Sequence, residues 1–421
     1  MTGEWRERSL GELIDIKHGF AFKGEFFCDE PRGYILLTPG NFAIGGGFKG
    51  DKFKYYEGPV PVEFVLHEGD LIVTMTDLSK QTDTLGYPAF VPTASDGRRY
   101  LHNQRLGKVV LKDEEKSDLR YLHYLMCCQD FRDEVLASAT GTTVKHTSPE
   151  RIKRFRFRLP PLPEQHAIAH ILGTLDDKIE LNRRMNETLD AMARALFQSW
   201  FVDFDPVRGK AEGCDPSLPK PIADLFPDRF EDSELGEIPA GWRVGRLDEV
   251  LVLQRGFDLP TLERTPGPYP VIAASGLNGT HNQFMVRGPG VTTGRSGVLG
   301  NVFYIHEDFW PLNTSLWVKQ FKHSTPTFAF HLFRGLDFSL FNAGSAVPTL
   351  NRNHVHYLPV VIPSMSTIRA FEDLSVPLLK RQKANVDESR TLVALRDMLL
   401  PELISGELRV KDAERFVEQA T

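Results

Sequence analysis

Residues 159–172 read LPPLPEQHAIAHIL, and this corner decides the fold. Pro160, Pro161 and Pro163 end any strand before them, since proline fixes φ and lacks a backbone N–H. Proline is tolerated in a first helical turn, so Glu164 and Gln165 open a long helix. Alternating steps of three and four along it pick out Ile168, Ile171, Leu175, Lys178, Asn182, Met185, Leu189, Met192 and Leu196. A second corner at Pro363 starts a second run at a constant offset of 203: Phe371, Leu374, Leu378, Arg381, Asn385, Glu388, Leu392, Leu395 and Leu399. Both are coiled-coil seams, each interrupted by a basic residue and then an asparagine at the same place.

Two arrangements satisfy such seams. Each helix packs on its own domain, or the two pair with each other, antiparallel. Pairing sets Asn182 against Asn385, amide to amide, and Lys178 against Glu388, with the asparagines fixing register. Two helices of roughly 36 residues would make a rod of about 54 Å. Pro377, with Gly173 and Thr174 at the matching place, predicts a kink or restart in each.

Outward from the corners the chain repeats itself. WRERSLGELIDIKHGF (5–20) and WRVGRLDEVLVLQRGF (242–257) share Trp, Leu, Gly and Phe at offset 237. GTTVKHTSPERIKRFRFRLP (141–160) matches GSAVPTLNRNHVHYLPVVIP (344–363) at offset 203. Each half runs from β-rich segments to a shorter helix, near 118–138 and 326–341, then a glycine loop, a strand, the corner and a long helix. The basic–aromatic alternation of RIKRFRFRLP fits a strand with one buried aromatic face, or a phosphate-contacting edge. Between the halves, 206–241 holds Pro206, Pro216, Pro219, Pro221, Pro227 and Pro239 and should be extended and mostly irregular. Trp200 and Phe201, closing the first helix, read as packing anchors.

A chain of 421 residues implies two or three domains. Its net charge of −6 is uneven: residues 163–241 carry 8 basic and 16 acidic side chains, against 10 and 7 in 242–362 and 23 of each in 1–162. Acid thus gathers on the connection, leaving the β-rich parts free to meet DNA. Cys28, Cys127, Cys128 and Cys214 have no zinc spacing and read as reduced thiols of a cytoplasmic protein. The opening lacks an apolar signal core, and no apolar run reaches membrane-spanning length. A phosphate loop, an Asn/Asp-Pro-Pro-Tyr tetrad and an HExxH pair are all missing from the sequence, so no catalytic residue or metal ligand is assigned.

Loops supply the candidates for DNA contact. TTGRSGVLGN (292–301) offers Arg295, Ser296 and Asn301 among glycines, and arginine can grip guanine with two donors. The matching place in the first half, TMTDLSKQTDTLG (74–86), offers Lys80, Gln81 and Thr82. LHNQRLGKV (101–109), aligned with PLNTSLWVK (311–319), offers Gln104, Arg105, Asn313 and Thr314 just before a strand. The loop after each shorter helix offers Lys145 and His146, or Asn351 and Arg352. Solvated turns and turn capping are the competing readings at all these places.

The residues then point to a family. LPPLPEQHAIAHILGTLDDKIELNRRMNETLDAMARALFQSWFVDFDPV (159–207) resembles the central repeat of type I restriction-modification specificity subunits, LRDMLLPELISGELRV (395–410) their C-terminal repeat, and FPDRFEDSELGEIPAGW (226–242) the entry to their second recognition domain. The resemblance implies an α+β protein with two β-rich α/β target-recognition domains, 1–160 and 242–362. An antiparallel two-helix coiled-coil spacer, 161–205 and 363–410, separates them in a pseudo-twofold duplication; 206–241 is a linker and 411–421 a tail. It implies a non-catalytic subunit that reads two arms of a split asymmetric double-stranded DNA target. It implies partners too: two modification (methyltransferase) subunits and restriction (endonuclease/translocase) subunits. S-adenosylmethionine, ATP and Mg belong to those partners. The alternatives are a DNA-binding regulator or scaffold without a methylase, and a self-contained nuclease.

Overall fold

The computed structural model describes residues 4–79, 81–94, 96–142, 144–215, 218–341 and 348–420. Lys80 and Gly344 lie outside them. The chain divides into two compact units, residues 1–182 with 387–421, and residues 183–386.

In the first unit, strands Ile14–His18, Leu106–Leu111, Leu71–Thr74 and Pro88–Phe90 form one antiparallel sheet in that order. Leu71, Ile72, Val73 and Thr74 are all buried, as a strand covered on both faces requires. A second sheet contains Tyr34–Leu36 parallel to Tyr100–Leu101. Arg6–Ser9 pairs with Arg156–Leu159 as a separate ribbon. Asp118 caps helix Leu119–Cys127 through the Tyr121 N–H at 2.7 Å, and Gln129–Ala137 follows.

The second unit repeats the four-stranded sheet, the parallel pair and the separate ribbon, although its second sheet has three strands where the first unit's has five. Its antiparallel sheet orders Leu251–Arg255, Ser315–Phe321, Gly290–Gly294 and Val302–Ile305. Tyr269–Ala273 lies parallel to Trp310–Pro311, and Arg243–Arg246 pairs with Pro359–Ile362. Thr325 caps helix Pro326–Arg334. The internal duplication is therefore present in topology as well as in sequence.

The long helices, Leu162–Phe201 and Met365–Ser405, pack together antiparallel as a coiled coil. In the first unit Asp176 meets Arg396 at 2.8 Å and Lys178 meets Glu388 at 3.4 Å, the expected register. In the second, Asn186 accepts from the Gln382 side chain at 3.0 Å. Three expectations about the helices need correction. Neither restarts: both stay helical through Gly173, Thr174 and Pro377, because packing outweighs one missing N–H. Met192 and Leu374 face outward, while Ala193 and Leu379 fill the buried positions, so the seam drifts as a 3.6-residue helix must. And the asparagines do not exchange amides. Asn182 donates to Glu388 at 2.7 Å and to Ser389 at 3.3 Å, while Asn385 donates to Asn186 at 2.8 Å. Both asparagine carbonyls are buried without a partner.

The proline-rich connection is also more ordered than expected. It holds helix Asp205–Ala211 and a hairpin of Phe230–Ser233 with Gly236–Pro239. Buried Val207, Phe226 and Ile238 supply the apolar anchors that offset the proline count. Trp200 is 1% exposed, edge-on to Phe226 at 5.0 Å, and Phe201 stacks on Trp242, so both are packing anchors. The aromatic strand behaves as its alternation implies: Phe155 and Phe157 turn inward, Arg156 and Arg158 outward.

Candidate nucleic-acid interface

In the second unit the glycine loop is bent back on its strand. A Cβ on Gly294 would lie 1.9 Å from the Val298 carbonyl, so only glycine fits, and Gly297 and Gly300 hold positive φ. Main-chain bonds then lace three segments into one end of the unit. The Arg295 and Ser296 N–H groups donate to the Thr314 carbonyl at 2.8 and 3.1 Å, and the Leu350 N–H donates to the Arg295 carbonyl at 2.7 Å. The Arg295 guanidinium donates to the Asn313 carbonyl at 3.2 Å, and the Asn313 amide to Asp258, which also faces Arg255 at 3.8 Å. Arg295, Ser296, Asn313 and Thr314 thus converge, and Asn301 sits exposed at the loop's far end. Burial and the like charge of Arg255 push the Arg295 guanidinium below its ordinary range. An arriving base acceptor or phosphate would relieve that uncompensated charge. The exposed Asn351 caps helix Arg352–His356, its side-chain carbonyl accepting from the Asn353 N–H at 3.0 Å, with Arg352 exposed on the first turn.

The first unit repeats the lacing. The Met75 N–H donates to the Arg105 carbonyl at 2.9 Å, and the Thr147 N–H to the Met75 carbonyl at 3.0 Å. Thr76 pairs with His146 and Asp77 with Lys145, and the Thr76 hydroxyl lies 3.1 Å from His146 Nδ1. Gln104 and Arg105 are exposed, and Asn103 caps the turn before the strand by accepting from the Arg105 N–H at 3.1 Å. Sequence alignment set Gln104 against Thr314. The bonds correct this by one residue: Gly19 to Leu106 corresponds to Gly256 to Ser315, an offset of 209, so Gln104 answers Asn313 and Arg105 answers Thr314. By the same lacing Arg295 answers buried Met75, so equivalent frames carry unlike side chains.

Sequence reasoning missed the residues that shape the loop near Gln81 and Thr82. Asp77 is 2% exposed and accepts from the N–H groups of Ser79 at 2.6 Å, Thr84 at 2.5 Å and Leu85 at 3.1 Å. Burial pushes its carboxyl up, but the Ser79 and Thr84 donors outweigh it and hold the pKa below the ordinary range. Arg132, also buried, grips the carbonyls of Thr82 and Leu85 and stacks on Tyr87 at 4.2 Å. That grip holds Thr82 at φ +60°, a conformation a β-branched residue seldom adopts. The available signal was an arginine on the apolar face of a helix, between Phe131 and Val135. Among the described residues no cluster of three or more His, Cys, Asp and Glu could hold a metal, and no helix is long and apolar enough to cross a membrane.

Two units on one frame, each with laced loops at one end, describe a duplicated recognition protein. The model of the type I restriction modification DNA specificity domain matches residues 2–191 and 239–387, and the chain belongs to that family. It is 24% identical over 339 residues to the type I restriction enzyme MjaIX specificity subunit of Methanocaldococcus jannaschii, covering 74% of this chain and 73% of the relative. It is 23% identical to the HindI specificity subunit of Haemophilus influenzae, covering 65% and 74%. The crystal structure of a type I restriction-modification S subunit from M. genitalium superposes with a TM-score of 0.61 at 18% identity, covering 95% of this chain and 96% of that one, a likeness of fold.

Proposed function

We propose that this chain is the DNA-sequence specificity subunit of a type I restriction-modification complex, each unit reading one arm of a split, asymmetric target. One observation carries this reading: the two units repeat sheet order and main-chain lacing while presenting different side chains, Met75 against Arg295 and Arg105 against Thr314. Equal frames with unequal readers suit a target whose arms differ. In the first unit base contact falls to Gln81, Thr82, Gln104, Arg105, Lys145 and His146, with Lys80 beyond the described residues. In the second it falls to Arg295, Ser296, Asn301, Asn313, Thr314, Asn351 and Arg352. The paired helices act as spacer and as docking site for the modification subunits; adenine methylation and any cleavage belong to those partners and their S-adenosylmethionine, ATP and Mg. The recognition domains are 1–160 and 242–362, and the complex works in the cytoplasm.

Mapping methylated adenines in the host genome tests the reading. A motif of two short arms split by unspecified bases should vanish when the gene is deleted. Exchanging residues 242–362 for those of a relative should change one arm only. An unchanged methylation map with the modification subunit expressed, or two altered arms in a folded chimera, refutes it.

A further inference from the structure

The ribbon of Arg6–Ser9 and Arg156–Leu159, with the short helix and turn that lead into it, carries more positive charge than its packing uses. Arg151, Lys153, Arg154, Arg156 and Arg158 fall within eight residues. The inward side is satisfied: Phe155 is buried edge-on to Phe131, and Phe157 stacks on Phe155 at 6.0 Å. Part of the outward charge is satisfied as well. Arg156 donates to Glu7 at 2.7 Å, and Lys153 meets Asp15 at 3.1 Å and Glu150 at 2.9 Å. Arg154 and Arg158 are exposed and make no ion pair among the described residues.

The fold does not need this charge. At the constant offset of 203, Arg154, Arg156 and Arg158 answer Tyr357, Pro359 and Val361 of the second unit's equivalent ribbon. There Arg246 lies over Tyr357 at 4.0 Å and is neutralised by Asp248 at 2.6 Å. The basic end also adjoins the readout loops. Arg151 donates to the Thr140 hydroxyl at 3.1 Å, and the Thr140 N–H donates to the His146 carbonyl at 2.9 Å. Arg156 and Arg158, two apart on the strand, point the same way at about 6.6 Å spacing, and exposed Arg154 stands in the turn just before it, so that donors suited to a charged backbone gather at this edge.

We propose that Arg154 and Arg158 form a phosphate-contacting surface for duplex DNA flanking the arm read by the first unit, without a counterpart in the second. The proposal rests on the specificity-subunit reading and adds a contact outside the readout loops. Its test uses the chain assembled with its modification subunits and four duplexes: the methylated sequence with long flanks, the same sequence trimmed on one side, the same trimmed on the other, and a scrambled sequence. Affinities are measured between about 50 and 200 mM salt, where each lost phosphate contact lowers the log–log slope by about 0.9. Arg154→Gln with Arg158→Gln should lower that slope by about 1.8, weaken specific and scrambled binding alike, and leave the methylated motif unchanged. Trimming one flank should bring the wild type to the variant's affinity; trimming the other should not. Arg154→Lys with Arg158→Lys should restore the slope. A glutamine variant with the wild-type slope overturns the surface while the functional reading stands. Loss of a modification subunit from the variant complex, or failure of the lysine pair to restore binding, overturns it in favour of a protein contact or a structural role. A wild-type complex with no preference for the methylated sequence overturns the functional reading and the ribbon with it.

Discussion

Replacing Asn182 by leucine should raise stability while loosening the register of the helix pair. Asn182 is 1% exposed, its amide N–H2 donates to Glu388 at 2.7 Å and Ser389 at 3.3 Å, and its carbonyl is unpaired. Leucine removes that orphan, worth about 2 kcal/mol, and buries an apolar side chain, worth about 2 more. It gives up the bond to an ionised carboxylate, about 2 kcal/mol, and the longer one to a hydroxyl, about 1. Gains of about 4 against losses of about 3 leave a net stabilisation of about 1 kcal/mol. Glu388 is not stranded, because Lys178 lies 3.4 Å away. For the first unit, 182 plus 35 residues, this amounts to about 2–4 °C in the melting temperature. Thermal unfolding of the assembled complex reads the first effect, and the gap between methylated arms reads the second, with sites of altered gap newly modified. A loss of more than about 2 kcal/mol refutes the view that the asparagine costs stability for register. A stabilised variant with an unchanged gap assigns the register to Asp176–Arg396 and Lys178–Glu388 instead.

Arg295→Ala should weaken target binding by about 1–3 kcal/mol and relax preference at one base of one arm, read by competition with singly substituted duplexes; unchanged affinity and preference return Arg295 to its bond with the Asn313 carbonyl. Arg334→Ala leaves half-buried Asp190 without the two donors at 2.6 and 2.9 Å that hold its pKa down, and should destabilise the second unit by about 1–3 kcal/mol in denaturant melts. His102, His123 and His331 are buried, and burial pushes each down to about 4. The unfolded chain therefore binds more protons between about pH 6.5 and 4, and each should remove about 1.4 kcal/mol of stability per pH unit as pH falls through that window. His123→Phe and His331→Phe should flatten the slope, and a wild-type melting temperature constant from pH 7 to 4.5 contradicts these burials.

The fold was legible where periodicity and repetition carried it. Two proline corners, two seams and two offsets led to paired helices and a duplicated sheet, because burial imposes such patterns over many residues. The register was legible from Lys178 and Glu388, whereas the partner of Asn182 was not. A one-residue difference in side-chain direction decides whether an amide meets an amide or a carboxylate. Loop anatomy was less legible still. Asp77 and Arg132 lie more than fifty residues apart and have no spacing signature, although their bonds set the loop. The alignment of 101–109 slipped by one residue because hydrophobic patterning cannot register a turn, which backbone bonds do. The connection at 206–241 misled through its prolines, whose cost was outweighed by Val207, Phe226 and Ile238.

The lacing of the loops bears on how such a protein can drift. The bonds that hold Met75 to Arg105 and Thr147, and Arg295 to Thr314 and Leu350, run between main-chain atoms. They impose almost no demand on side-chain identity, as a buried methionine and a half-buried arginine at one position attest. On the reading proposed above, substitutions at Gln81, Gln104, Arg105, Ser296 or Asn301 can therefore accumulate at little thermodynamic cost and change what is recognised without altering whether the chain folds. Mutational tolerance should be highest where sequence discrimination is made and lowest at Gly294, Asp77 and Arg132, so a population of descendants can explore new DNA targets without passing through unfolded intermediates.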